Sequence, residues 1–341
     1  MDNSSTAQSQ AKDVYAEKPI EGQPWDVVIV GSGPAGLTAA IYATRGAAST
    51  LILGGEKWGG QLMLTTEVDN YPAIPGIQGP ELMGKMREHA TKFGAEFVEK
   101  NVESVDFTKN PFELSAGGQK YLAKAVVIAT GSDTKWLGVP GEEKLRGRGV
   151  SSCAPCDAPF FKDKNVVVIG GGDAAMEEAL VLAKYATQVT MLHRRDKFRA
   201  SKAMQAKVLG NPKIKVVWNV GITEFKGDTV LESVVIKNTT TSETSDFAAD
   251  GAFIAIGHIP SSKIFAGQVE LDKWGYVVKH EREGYSMLTS TKGVFVAGDI
   301  HDFHYMQAVT AAGLGCMAGM DAVRYLDSLA SDANEVGLPK K

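Results

Sequence analysis

At 341 residues the chain is long for a single hydrophobic core, and two domains are the starting expectation. Its 44% hydrophobic and 22% charged residues are those of an ordinary globular chain, and no uncharged apolar run approaches the ~20 residues that a membrane span needs. A formal net charge of −4 with acids and bases interspersed leaves no basic stripe, which argues against nucleic acid and anionic membrane surfaces as partners.

Residues 1–24 are polar and read as a mobile tail. They have neither the apolar stretch of a secretory signal nor the Arg-rich, acid-poor character of an organelle-targeting helix, so a cytoplasmic location is expected. Residues 26–45 (DVVIVGSGPAGLTAAIYATR) then set out a pattern that returns at 165–184 (NVVVIGGGDAAMEEALVLAK). In each, β-branched apolar residues lead into a glycine turn and then into apolar residues at helical spacing, which predicts strand, tight turn and helix. A second apolar strand follows at 49–53 (STLIL) and at 188–192 (QVTML), so each copy reads as β-α-β with buried parallel strands and the fold class as α/β.

The glycines suit a dinucleotide. Gly31 makes the tight turn, Gly33 lets the backbone approach a pyrophosphate, and Gly36 lets helix and strand pack closely; Gly170, Gly172 and Ala175 take these places in the second copy. The phosphates would lie at a helix N-terminus, where unpaired N–H groups favour anions. One such turn alone is compatible with an ordinary strand-to-helix connection, whereas two in matching contexts favour two dinucleotides. The copies differ beyond the second strand. The first carries Glu56, a candidate acceptor for a ribose hydroxyl, whereas the second runs His193-Arg194-Arg195-Asp196-Lys197-Phe198-Arg199, whose guanidinium groups match a 2′-phosphate and favour NADPH over NADH.

Just ahead of the second copy stand Cys153-Ala154-Pro155-Cys156-Asp157, two of only three cysteines in the chain. Too few for a disulfide framework, the pair points to redox or metal chemistry. A C-x-x-C closes a short disulfide reversibly and lowers the pKa of one thiol, and Asp157 can supply or accept the proton that exchange requires. Half of a zinc site is the rival reading, but Cys316 stands alone on an apolar helix and the histidines show no metal-ligand spacing. Near the C-terminus, 294–300 (VFVAGDI) reads as a buried strand that puts the Asp299 carboxylate at its C-terminal end, where such sheets bind ligands.

These segments, with GGQL followed by TTEVDNYP, ATGSDTKWLGVPGE, HRRDKFRA, AIGHIP and QAVTAAGLGCMA, stand in an order that resembles the low-molecular-weight thioredoxin reductases from about residue 26 to 325. The resemblance implies two Rossmann-like domains, the second inserted into the first: an FAD domain from 25–138 and 263–330, an NADPH domain at 139–262 carrying the redox pair, and a C-terminal tail at 331–341. It implies FAD contacts from Gly31, Gly33, Gly36, Glu56, Gln61, Asn70, Asp299, Gln307 and Ala308, and NADPH contacts from Gly170, Gly172, Ala175, His193, Arg194, Arg195 and Arg199. Cys156 would face the flavin, Cys153 attack the substrate disulfide and Asp157 act as general acid, with no metal. The implied partners are thioredoxin or a thioredoxin-like protein and a second copy of the chain. Hinges near 135–139 and 255–262 would let the inserted domain rotate. Met306, Ala174 and Ala158 depart from the family's usual arginine, serine and glycine. A different electron donor or acceptor on the same fold (ferredoxin or thiol donors, dithiol oxidation, a peroxide-reducing system) and a non-enzymatic nucleotide-binding protein stay open at this point.

Overall fold

Alternation of side chains along a strand decides where each apolar residue of the first β-α-β goes. In the computed structural model, which describes residues 16–336 apart from 66 and 283, Trp25–Val30 is a strand buried on both faces. Val27 and Ile29 point into one core layer and Val28 and Val30 into another. The strand pairs in parallel with Thr50–Leu53 on one side and Gln119–Ile128 on the other; Glu96–Val98 extends the sheet beyond the first, and Val294–Val296 lies parallel to the second. Antiparallel strands Tyr285–Leu288 and His280–Arg282 complete that edge, and the hairpin Val102–Asp106 and Phe112–Ala116 joins through Gln119–Ile128.

Helices Pro34–Arg45 and Ala308–Val336 cover the layer of Val27 and Ile29, bringing Leu37, Ala40, Ala318 and Ala322 into one buried cluster with Phe295. The other layer packs Val28 and Val30 with Phe107, Phe112, Leu114 and Phe265. Each fully buried aliphatic or aromatic side chain of this kind contributes roughly 1.5–3 kcal/mol.

The second β-α-β builds a separate unit on the same rule. Asn165–Gly170 runs parallel between Gln188–His193 and Gly251–Ala255, with Ile214–Trp218 and Val150–Ser151 at the edges. Val166 and Val168 face the helix Asp173–Leu182, whereas Val167 and Ile169 face a three-stranded antiparallel sheet of Val220–Lys226, Ser233–Asn238 and Thr244–Ala248.

The chain therefore divides into two units: Thr134–His258 forms one, and the segments up to Asp133 and from Ile259 the other. The inner unit starts and ends a few residues ahead of the 139–262 read from the sequence. At the far end, the helix begun at Ala308 continues to Val336, so 331–336 are helical rather than part of a tail. Good helix formers such as Leu329 and Ala330 lead into this stretch, with no glycine or proline before Gly337 to stop it. Most of the polar tail expected at 1–24, and residues 337–341, lie outside the described residues. Among the described residues no helix is long and apolar enough to cross a membrane.

Candidate functional site

The outer unit gathers most of the first set of candidates around one turn. Gly31 has φ 112°, and a Cβ there would strike the Ala129 carbonyl. A Cβ on Gly36 would strike the Gly31 carbonyl, whereas among the described residues nothing beyond its chain neighbours comes within 4 Å of the Cβ position on Gly33. The first and third glycines thus serve close packing, and the middle one opens the turn to a ligand. Helix Pro34–Arg45 starts here with Gly33 as its cap and no side-chain capping hydrogen bond among the described residues. Its dipole and free donors suit a diphosphate.

Ser32, which the sequence reading passed over, ties this turn to the end of the second strand. Its buried hydroxyl donates to Gly54 O at 2.6 Å and accepts from Gly59 N–H at 3.0 Å. In that strand-end loop the exposed Glu56 is held by Asn101, which accepts the Glu56 N–H at 3.1 Å and reaches its carboxylate at 3.5 Å. Gln61 donates to Asp133 at 2.8 Å, and Asn70 donates to Gln307 at 3.1 Å.

Asp299 reaches the same turn because Gly298 lies so close to helix Pro34–Arg45 that an added Cβ would meet Ala35 Cβ at 2.8 Å. Its Oδ1 is buried without a hydrogen-bond partner among the described residues. Burial, with Asp302 adding to it, pushes the Asp299 carboxyl up to about 7. A buried acceptor left unpaired is costly, and a polyol hydroxyl is the kind of donor that would satisfy it. Downstream, Asp302 accepts the N–H groups of His304, Tyr305 and Met306 at 3.0, 2.9 and 3.2 Å, which holds Met306 at φ 49°. Gln307 follows, and Ala308 opens the long helix. Open backbone at Gly33, an uncapped helix and an orphaned carboxylate fit the diphosphate and polyol parts of a flavin dinucleotide.

The inner unit repeats the turn. A Cβ on Gly170 would overlap the Ala255 carbonyl, the Gly172 position has nothing beyond its chain neighbours within 4 Å among the described residues, and Ala175 is fully buried at the helix contact. The loop with the arginines is stapled over this turn: Arg199 N–H and Ala200 N–H donate to Gly171 O at 2.8 and 3.2 Å, and Ser201 N–H to Asp173 at 2.9 Å. Arg194, Arg195 and Arg199 are exposed, and none is in an ion pair among the described residues. His193 behaves differently. It is buried, with its Nδ1 2.8 Å from Gly170 O and its Nε2 3.0 Å from Lys197 O; a neutral imidazole, with one N–H, donates to only one of these carbonyls. It shapes the site by joining the glycine turn to the arginine loop.

In the same unit Cys153 and Cys156 form a disulfide across the helical turn Ala154–Asp157, with Cα atoms 5.3 Å apart. The thiol positions are thus bonded to each other, and Cys316 lies in the helix of the other unit. Burial raises the Asp157 carboxyl above the usual carboxylate range, opposed by a hydrogen bond from the Ser151 hydroxyl. Glu178, absent from the sequence reading, accepts the Ala154 N–H at 2.6 Å from the helix Asp173–Leu182. Of the departures, Ala158 is buried beside the redox turn and Ala174 is exposed in the first turn of that helix.

Two glycine-turn sheets and a C-x-x-C disulfide on one chain define a pyridine nucleotide-disulphide oxidoreductase, and the sequence matches that family over residues 25–315. Thioredoxin reductase of Mycolicibacterium smegmatis is 49% identical over 302 residues, 88% of this chain and 96% of the relative. The solved thioredoxin reductase from Giardia duodenalis superimposes with a TM-score of 0.85 at 42% identity, over 89% of this chain and 100% of that one. That from Streptococcus pyogenes MGAS5005 gives 0.84 at 38%, over 89% and 98%. The chain belongs to the low-molecular-weight thioredoxin reductases.

Proposed function

We propose that the chain passes electrons from NADPH, by way of FAD, to its Cys153–Cys156 pair and on to thioredoxin or a similar small redox protein. The observation that carries the reading is that one unit holds both the disulfide and a glycine turn with an arginine loop stapled to it. Membership of a family of pyridine nucleotide-disulphide oxidoreductases supports a flavin and a nicotinamide. The choice of NADPH rests on Arg194, Arg195 and Arg199, since a guanidinium pairs with a 2′-phosphate that NADH lacks.

In this reading Gly31, Gly33, Gly36, Glu56, Gln61, Asn70, Asp299, Gln307 and Ala308 hold FAD, and Gly170, Gly172, Ala175, His193 and the three arginines hold NADPH. A bound flavin supplies the two-electron relay between nicotinamide and sulfur that no side chain provides. In the reduced pair, Cys153 thiolate attacks a partner disulfide and one partner sulfur leaves, taking a proton; Cys156 then attacks Cys153 and releases the second partner thiol. Asp157 is the acid for this transfer, because its burial lets it keep a proton closer to neutrality than an exposed aspartate does. The chain works as a homodimer in this reading.

The test is an anaerobic titration of the purified protein with NADPH and with NADH, following flavin absorbance in wild type and Cys156→Ser. NADPH is expected to bleach the flavin well before NADH does, with four electrons taken up per chain in wild type and two in the variant. A flavin that dithionite reduces but NADPH does not would remove the nicotinamide from the scheme.

A further inference from the structure

Two side chains take the N–H groups at the start of the redox turn. Ser151 Oγ accepts the Cys153 N–H at 3.1 Å, and Glu178 Oε2 accepts the Ala154 N–H at 2.6 Å. The Ser151 hydroxyl also favours the ionised form of Asp157. Glu178 stands on the helix whose first residues form the nucleotide-side glycine turn, so one element carries that turn at its end and the anchor of the disulfide further along. A neutral glutamine would make the same hydrogen bond without the cost of burying a charge. The anchoring bond alone does not account for a carboxylate at this position.

Resting on the reading of Cys153–Cys156 as the exchange centre, we propose that Glu178 is a positioning residue: it clamps the turn through Ala154 and, by its negative charge, restrains ionisation of the reduced thiols. Donors that would otherwise favour a thiolate at Cys153 are occupied by Ser151 and Glu178, and a carboxylate beside a thiol disfavours its ionised form. Burial pushes the Glu178 carboxyl up to about 7, opposed by the Ala154 N–H and assisted by Asp157 and Glu177. The restraint therefore strengthens as pH rises through neutrality.

The titratable groups that bear on Glu178 are Asp157 from the redox turn and Glu177 from its own helix. Strands Asn165–Gly170 and Gly251–Ala255 and the turn Ala158–Phe161, packed against that helix, bring none. Strand Gln188–His193 brings His193, whose ring is held by the Gly170 and Lys197 carbonyls. Helix Lys202–Leu209 brings Lys202 and Lys207, both exposed.

The experiment reduces the flavin-containing protein with a water-soluble phosphine, so that no nicotinamide is needed, and follows alkylation of Cys153 and Cys156 by iodoacetamide against pH, read by peptide mass. In Glu178→Gln, which keeps an acceptor for Ala154, the alkylation profile is expected to move to lower pH. About tenfold more thiolate, offset by the lower nucleophilicity of a more acidic thiol, gives about threefold faster alkylation at neutral pH. Glu178→Asp, which keeps the charge, is expected to stay near the wild-type profile. A Glu178→Gln profile that superimposes on wild type, or a Glu178→Asp profile that moves as far as Glu178→Gln, overturns the proposal. Because the phosphine bypasses the cofactors, failure of NADPH to bleach the flavin leaves this result standing, and an unmoved profile leaves the NADPH reading standing.

Discussion

Asp299 shows what burying an unpartnered carboxyl does to stability. Its carboxyl has a folded-state pKa of about 7, raised by burial, whereas in the unfolded chain it titrates in the ordinary carboxylate range. The unfolded chain thus gives up this proton at lower pH than the folded chain does. Below the ordinary range both states are protonated and nothing is lost; as pH rises from there to about 7 the folded state pays increasingly, and above that the penalty is complete. Asp299→Asn removes the charge. In flavin-stripped protein the melting temperature of the variant should exceed that of wild type at pH 8 and converge with it at pH 4, while flavin is retained less tightly because the carboxylate acceptor is gone. A constant difference across that range would mean that the carboxyl does not titrate as its burial dictates.

At the level of elements, the outer unit depends on helix Ala308–Val336 lying close against Pro34–Arg45. A Cβ on Gly315 would overlap the backbone carbonyl of Ala35, and one on Gly319 would come within 2.6 Å of the Ala39 carbonyl. Backbone cannot swing aside as a flexible side chain does, so Gly315→Ala should destabilise the protein by about 1–3 kcal/mol, seen as a lower denaturant midpoint at unchanged slope. An unchanged midpoint would mean that the helices are not in this contact. The glycine turns themselves were legible because each is set by residues adjacent in sequence, and the apolar runs around them were long enough to be told from helices. Ser32, Asn101 and Glu178 escaped because their partners Gly54, Glu56 and Ala154 lie 22, 45 and 24 positions away, pairings that only the folded sheets bring about. Sequence spacing cannot show that the strand-end side chain of His193 turns inward to two carbonyls, while the arginines after it stay exposed. The long helix was cut short in the sequence reading because its last turn is polar and carries no apolar stripe to mark it.

For the whole molecule, the outer unit leaves one helix face apolar and uncovered. Val309, Met317 and Met320, each about 40% exposed, line one side of Ala308–Val336, and Tyr42 of the neighbouring helix is exposed to the same degree. Beside them runs a groove of about 560 Å³ lined by Tyr42, Arg45, Tyr71, Met86, His89 and Phe93 among others. Methionines adapt to the surface they meet, and an exposed run of apolar side chains next to a groove is the character of a protein contact. The resemblance to the thioredoxin reductases makes a second copy of this chain the expected occupant. A stable isologous dimer requires roughly 800 Å² from each copy, and the stripe and the groove together are the surface proposed for it. Replacing Met317 and Met320 by aspartate puts two charges, and their images in the partner, into that surface at a desolvation cost that such a contact cannot absorb. Sedimentation velocity should then show dimeric wild type and monomeric Met317→Asp/Met320→Asp, with the flavin spectrum retained in both. A wild-type monomer at micromolar concentration would remove the dimer, and a double variant that stays dimeric would move the contact to another face.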